Sequence, residues 1–188
     1  IESLIKNYKV DRDRVYLLGP SNGGMMAHRM VCEHADLFAG MASLAGSGMR
    51  EINACSPTSP VSILEIHAEN DRTVLYEGMT EMSLAERLKR KPLYPYSSIA
   101  ENVRYPSSLK TLEHWAKLNG CDPNRIERED RINYALNAIG AETTKTTWKS
   151  GCKNGTEVQF WSLSRGRHVP RFNSKFKNDV VEFLLKQK

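Results

Sequence analysis

No apolar run in this 188-residue chain approaches the roughly eighteen residues that a membrane-spanning helix needs. With 40% apolar residues and a mean hydropathy of −0.51, the composition is that of a soluble globular protein, neither disordered nor membrane-bound. Nor is there a C-x-x-C pair among the four cysteines, which argues against a zinc site and a thioredoxin-like redox site. Neither sign of charge dominates. Lys and Arg total 27 against 22 Asp and Glu, a net charge of +5. The basic residues are scattered, and the densest cluster, Arg87 to Lys91, reads as solvated surface rather than a nucleic-acid site. A signal peptide is missing too, because Ile1 already begins an amphipathic pattern. The expectation is that the natural N-terminus lies upstream. Internal repeats are absent, and the length suits one domain over residues 1–188.

The most informative stretch is Val15 to Met26. Val15 to Leu18 has the length and β-branched or aromatic content of a buried strand. From Met25 the pattern turns helical, with Met26, Met30 and Val31 able to share a face. Between them lies Gly19-Pro20-Ser21-Asn22-Gly23, a G-x-S-x-G element in a strand-turn-helix context. Such a turn projects the serine hydroxyl from the sheet end and needs small neighbours. It also leaves the first helical amides free, so the Asn22 N–H is a candidate oxyanion donor.

Along the rest of the chain, residues 1 to 8 read as a helix with Ile1, Leu4, Ile5 and Tyr8 on one side, and the nucleophile helix runs to about Glu33. Leu37 to Gly46 and Val61 to Ile66 read as buried strands. Strand, turn, helix, strand at this spacing predicts a mostly parallel α/β sheet, whose ligands bind beyond the carboxyl ends of the strands. Residues 79 to 106 read as a lid or insertion. Ser108 to Asn119 predicts a helix capped by Ser107 or Ser108 and ended by Gly120. Residues 122 to 142 are polar and are expected to be partly mobile, Thr143 to Trp148 and Glu157 to Leu163 read as strands, and Ser174 to Lys186 as a closing helix. Four cysteines allow three pairings. Cys32 with Cys55 and Cys121 with Cys152 are favoured because each pair brackets one local unit, which would place the chain in an oxidising compartment; four free thiols are the alternative.

A serine hydroxyl needs a neighbouring base, and a histidine held by a carboxylate supplies one near neutral pH. Of five histidines, His28, His34 and His114 lie on helices or their ends and read as surface or structural. His67 follows a strand directly and reads as packing behind the site. His168, in a loop after the last strand, is the candidate base. Asp71, just beyond the third strand, is the candidate acid, with Glu69 its competitor and Glu65 inside the strand. The order Ser21, Asp71, His168 is that of α/β-hydrolases.

On these residues the chain resembles the secreted esterase family of poly(3-hydroxybutyrate) depolymerases and feruloyl and acetylxylan esterases. The matching pieces run from Val10-Asp11 and Arg14-Val15-Tyr16 through Gly19 to Met26, Phe38-Ala39 to Gly46, His67 to Asp71 with Tyr76-Glu77-Gly78, Trp115 to Cys121, and Trp148 to Cys152, ending with Gly166 to Pro170. The resemblance implies a three-layer α/β-hydrolase fold, ester hydrolysis with no metal or cofactor, and a Ser21/Asp71/His168 triad. It further implies a secreted or periplasmic location, and supports the same two cysteine pairs. The implied partner is an ester substrate, polymeric or small, with no nucleic acid and no membrane.

The chain departs from the family in three ways. Ala68 stands where glycine usually follows the strand-end histidine. Arg165-Gly166-Arg167 replaces a glycine-rich approach to His168, and Val169-Pro170 stands where a tryptophan is usual. The two arginines are expected to lower the pKa of His168 or select acidic substrates. Finally, a single helix precedes the nucleophile strand, where the family has several strands and a loop carrying the second oxyanion donor. The expected structure is therefore the C-terminal part of a larger domain or a natural truncation, with an open strand edge. The absent strands would come from the full-length chain or another chain. Lacking one oxyanion donor costs roughly 10²–10³ in rate in comparable sites. Besides a serine esterase, a non-catalytic binding remnant and a serine peptidase of the same fold are the readings to separate.

Overall fold

The structure is a computed structural model and describes residues 1–80, 104–138 and 140–188. Its elements, in chain order, are α1 (Glu2–Asn7), β1 (Tyr16–Pro20), α2 (Asn22–Glu33), β2 (Gly40–Leu44) and β3 (Ser62–Ala68). They continue with α3 (Ser108–Leu118), β4 (Ile126–Ile132), β5 (Thr143–Trp148), β6 (Val158–Leu163) and α4 (Ser174–Lys186). The strands form one sheet in the order β1-β2-β3-β6-β5-β4. The first four are mutually parallel, while β6–β5 and β5–β4 are antiparallel.

Side-chain alternation splits this sheet between two cores. Met41, Ile63 and Phe160 point to one face, where they meet Val31 of α2 and Leu112 and Trp115 of α3. Their sequence neighbours Ala42, Leu64 and Trp161 point to the other, against Phe176, Val180 and Phe183 of α4. Covered on both sides, β3 is buried along its whole length, which is why it reads as a near-continuous apolar run. The result is the three-layer, mostly parallel α/β-hydrolase fold expected from the sequence.

The structure corrects the reading of residues 122 to 142, which contain β4. Every residue of this strand except Ile132 is exposed, so Ile-Glu-Arg-Glu-Asp-Arg-Ile carries almost no burial signal. Pairing with β5, rather than a core, holds it. Residues 37 to 39 are not strand either, because Ala35–Leu37 forms a 3₁₀ turn before β2. Helix α1 forms but buries none of its residues, and Leu4 remains 58% exposed. Of the expected lid at 79–106, residues 81–103 lie outside the described residues, and Met79 and Tyr105 meet in an antiparallel bridge at its base. Disulfides join Cys32 to Cys55 and Cys121 to Cys152. Among the described residues β1 is a sheet edge, with Leu18 exposed.

Candidate active site

Ser21 sits between β1 and α2 with φ 54° and ψ −121°, a conformation that costs a non-glycine residue on the order of 1–3 kcal/mol. Neighbouring backbone holds it there. Its N–H donates to the Leu44 carbonyl at the end of β2 (2.7 Å), and its carbonyl accepts the N–H groups of Gly24 (2.9 Å) and Met25 (3.1 Å). A Cβ on Gly19 would lie 2.4 Å from the Gly23 carbonyl carbon, and one on Gly24 would lie 2.3 Å from Ser43 Oγ and 3.0 Å from Gly46 Cα. Gly23 itself is roomy, its nearest neighbour being Pro20 Cδ at 3.5 Å. The tight glycines are therefore 19 and 24, and the second glycine of the motif is not one of them. The Asn22 N–H, at the start of α2, donates to no protein acceptor among the described residues and is free to face an anion.

The ends of the parallel strands converge on this serine. Asp71 follows β3 and His168 follows β6. The Ser21 hydroxyl donates to His168 Nε2 over 2.8 Å, and His168 Nδ1 donates to Asp71 Oδ2 over 2.7 Å. The Asp71 side chain is fully buried and the His168 ring partly open. The other carboxylate oxygen, Oδ1, accepts the N–H groups of Thr73 (2.7 Å) and Val74 (3.2 Å). Burial acts to raise the Asp71 pKa. Hydrogen bonds from His67 and His168 and from the Thr73 amide oppose it, and the net result lies below the usual carboxylate range. The three residues thus form one hydrogen-bonded line in the tautomer that lets a serine lose its proton.

Two supports were not legible in the sequence. Asn70 Oδ1 accepts the N–H groups of both Gly166 and Arg167 at 3.1 Å, tying the loop before His168 to the loop that carries Asp71. Arg167 takes a positive φ of 62° within this bend. Asn70 stands next to Asp71, and only the folded loop reveals what it faces. Ala68 is buried, and its Cβ lies 3.3 Å from where a Cβ on Gly166 would sit. The methyl that replaces the family's glycine therefore packs close to Gly166 in the loop before His168. The competing acid Glu69 is exposed. His34 is exposed, and His114 is half-buried on α3. His28 and His67 are buried behind the site.

The fold and the site geometry together are those of the α/β-hydrolase superfamily. Residues 1–95 match the prolyl oligopeptidase family, and the chain belongs to that family. It is similar to "Putative esterase NocK" of Nocardia uniformis subsp. tsuyamanensis, 34% identical over 170 residues, 90% of this chain and 46% of that protein. It is also similar to "Feruloyl esterase B" of Piromyces equi, 25% identical over 172 residues, covering 90% of this chain and 27% of that one. The chain therefore spans less than half the length of these relatives. Among solved structures, an acetyl xylan esterase from Aspergillus awamori superposes with a TM-score of 0.55 at 16% identity, over 96% of this chain and 62% of that one. At that identity the likeness concerns fold alone.

Proposed function

We propose that the chain carries the catalytic end of a serine esterase that cleaves carboxylic esters. Ser21 Oγ attacks the ester carbonyl while His168 Nε2 takes its proton, and Asp71 orients His168 and offsets the imidazolium charge. The Asn22 N–H stabilises the oxyanion. The alcohol leaves with the proton from His168, and water then releases the acyl group from Ser21 by the same steps. The observation that carries this reading is the hydrogen-bonded line from Ser21 Oγ through His168 to buried Asp71, at 2.8 and 2.7 Å.

The relatives' names favour feruloyl or acetyl esters of plant polysaccharide over a hydroxybutyrate polyester. The two disulfides favour a secreted or periplasmic location. The second oxyanion donor we assign to a segment, of the full-length chain or of another chain, that pairs with the open edge of β1. A peptidase reading draws on the family's description, so ester and amide substrates belong in the same assay. The test is hydrolysis of a short-chain aryl ester and of the matching anilide by the folded chain beside Ser21→Ala. The expected result is ester turnover that the variant lowers by about 10⁴-fold or more. Equal background rates from both folded proteins would overturn the enzyme reading, and faster anilide turnover would replace esterase with peptidase.

A further inference from the structure

Behind Asp71 lies a buried row of side chains that the triad chemistry does not use. His28, Glu65 and His67 are each 1% exposed or less. The indole N–H of Trp115 donates to His28 Nδ1 over 3.0 Å. An indole nitrogen only donates, so His28 Nδ1 carries no proton, and its single proton sits on Nε2. That proton is donated to Glu65 Oε2 over 3.0 Å. His28 is thereby fixed as a neutral imidazole and cannot balance a charge on Glu65. The second oxygen, Glu65 Oε1, is buried without a hydrogen-bond partner and faces His67 Nδ1 at 3.5 Å. On the far side of that ring, His67 Nε2 lies 3.0 Å from the Val74 carbonyl and 3.2 Å from Asp71 Oδ2. A carbonyl only accepts, so Nε2 bears a proton. Ser108 Oγ, from the first residue of α3, stands 2.7 Å from Nδ1.

From this geometry we infer that His67 is a buried imidazolium shared by Glu65 and Asp71, and that it is a positioning residue for the triad. Asp71 Oδ2 is then held between two imidazoles, His168 in front and His67 behind. Two carboxylates with no cation between them would be too costly to keep ionised in so dry a site, and one of them would take up a proton. With His67 charged, Glu65, His67 and Asp71 together carry one negative charge. The imidazolium that forms on His168 during the reaction brings the buried sum to zero.

The titratable groups that face His67 are Glu65 from its own strand, and Asp71 and Tyr76 from the loop beyond. Tyr76 presents its ring edge-on at 5.8 Å, and burial pushes its phenol up to about 12, so it stays neutral. His28 of α2 and His168 stand one group further away. Burial opposes a charge on His67, but the two carboxylates beside it, Asp71 and Glu65, outweigh it and push its pKa up to about 9. Burial likewise acts to raise the Glu65 pKa, and the hydrogen bond from His28 together with the nearby His67 ring outweighs that effect and holds it low.

The kinetic part of this inference rests on the esterase reading, and the spectroscopic part does not. The test is nitrogen NMR of histidine-labelled protein, with ester kinetics, on the wild-type chain, His67→Gln and the charge-balanced pair Glu65→Gln/His67→Gln. Protonation of both His67 ring nitrogens at pH 7.5, and a far-downfield proton resonance from His168 Nδ1–H that weakens in both variants, are expected. A fall in kcat of about tenfold to a hundredfold, the range typical of partners one shell out, is expected with KM nearly unchanged. If the single variant does not fold, the double variant supplies the comparison, since it keeps the buried sum at the single negative charge of the wild type. A neutral His67 at pH 7.5, or a folded double variant with wild-type kcat and an unchanged downfield resonance, would overturn the inference. A wild-type chain that shows both resonances but no ester turnover would refute the esterase reading and leave the charged His67 standing.

Discussion

The parallel half of the sheet and its antiparallel margin obey different physics. Strands β1, β2, β3 and β6 lie side by side, and Ser21, Asp71 and His168 follow three of them at the same end of the sheet. Strands β4 and β5 add width without adding a residue to the site, and β4 is nearly all exposed. In the first region backbones are close and polar atoms buried, so a small change is felt. In the second, side chains meet water and ion pairs are screened. The proposed chemistry is confined to the half where the fold leaves no freedom.

The steepest contrast is electrostatic. A His67 pKa raised to about 9 in the folded chain, against the usual 6.5 or so when unfolded, contributes stability that is fully present below about pH 6.5. That contribution, roughly 3 kcal/mol at most, is lost as pH rises through 9. Glu65 and Asp71, both shifted down, contribute in the opposite sense, and their share is lost only as pH falls below the normal carboxylate range. Denaturant midpoints are expected to fall steadily between pH 6.5 and 9.5, and a flat profile there would remove the charged His67 from the account.

Next in size, Gly24→Ala is expected to destabilise by about 1–3 kcal/mol, because the added carbon meets Ser43 Oγ and Gly46 Cα. Gly23→Ala, at the motif glycine, is expected to be neutral or slightly stabilising. Urea melts of the two variants side by side would settle which glycine the turn requires. Asn70→Ala removes the acceptor for the Gly166 and Arg167 amides, and kcat for ester hydrolysis is expected to fall about tenfold, or roughly 1.4 kcal/mol. Smallest is Glu127→Gln on β4, which breaks an exposed pair with Lys149. It is expected to change stability by less than about 0.5 kcal/mol and to leave kcat unchanged. A larger effect would mean that the margin is coupled to the site after all.

The same division decides what the sequence made legible. The strands around Ala42 and Leu64 announced themselves as short apolar runs because both their faces are covered, and β1 around Leu17 reads the same way although its Leu18 is exposed. The turn at Ser21 was readable because its glycines and its strand-turn-helix context are local. Strand β4 left no such trace, since a strand wet on both faces has no hydrophobic period to detect. Neither Asn70 nor the Glu65–His67–Asp71 row was visible as a unit. Their partners are brought in by loops and helices far along the chain, and a glutamate inside an apolar strand reads as an anomaly until the imidazoles on either side of it are in view.

The disulfides bear on durability. Ser21 caps the start of α2, and Cys32 is near its end. Ser108 begins α3 against His67, and Cys121 follows that helix. Helix α2 therefore presents its first turn to the Ser21 site and α3 its first turn to His67 behind it, and each has its tail fastened by a covalent bond, Cys32 to Cys55 and Cys121 to Cys152, across sequence separations of 23 and 31 residues. Loops of that size are worth about 3–4 kcal/mol each on chain-entropy grounds. Such a helix is fixed at both ends, its tail by the bridge and its first turn by the backbone packed around it. Under a reductant the tails would loosen first, hydrogen exchange rising around Cys32 and Cys121 while the serine end stays protected, so loss of shape would begin at the pole farthest from the chemistry.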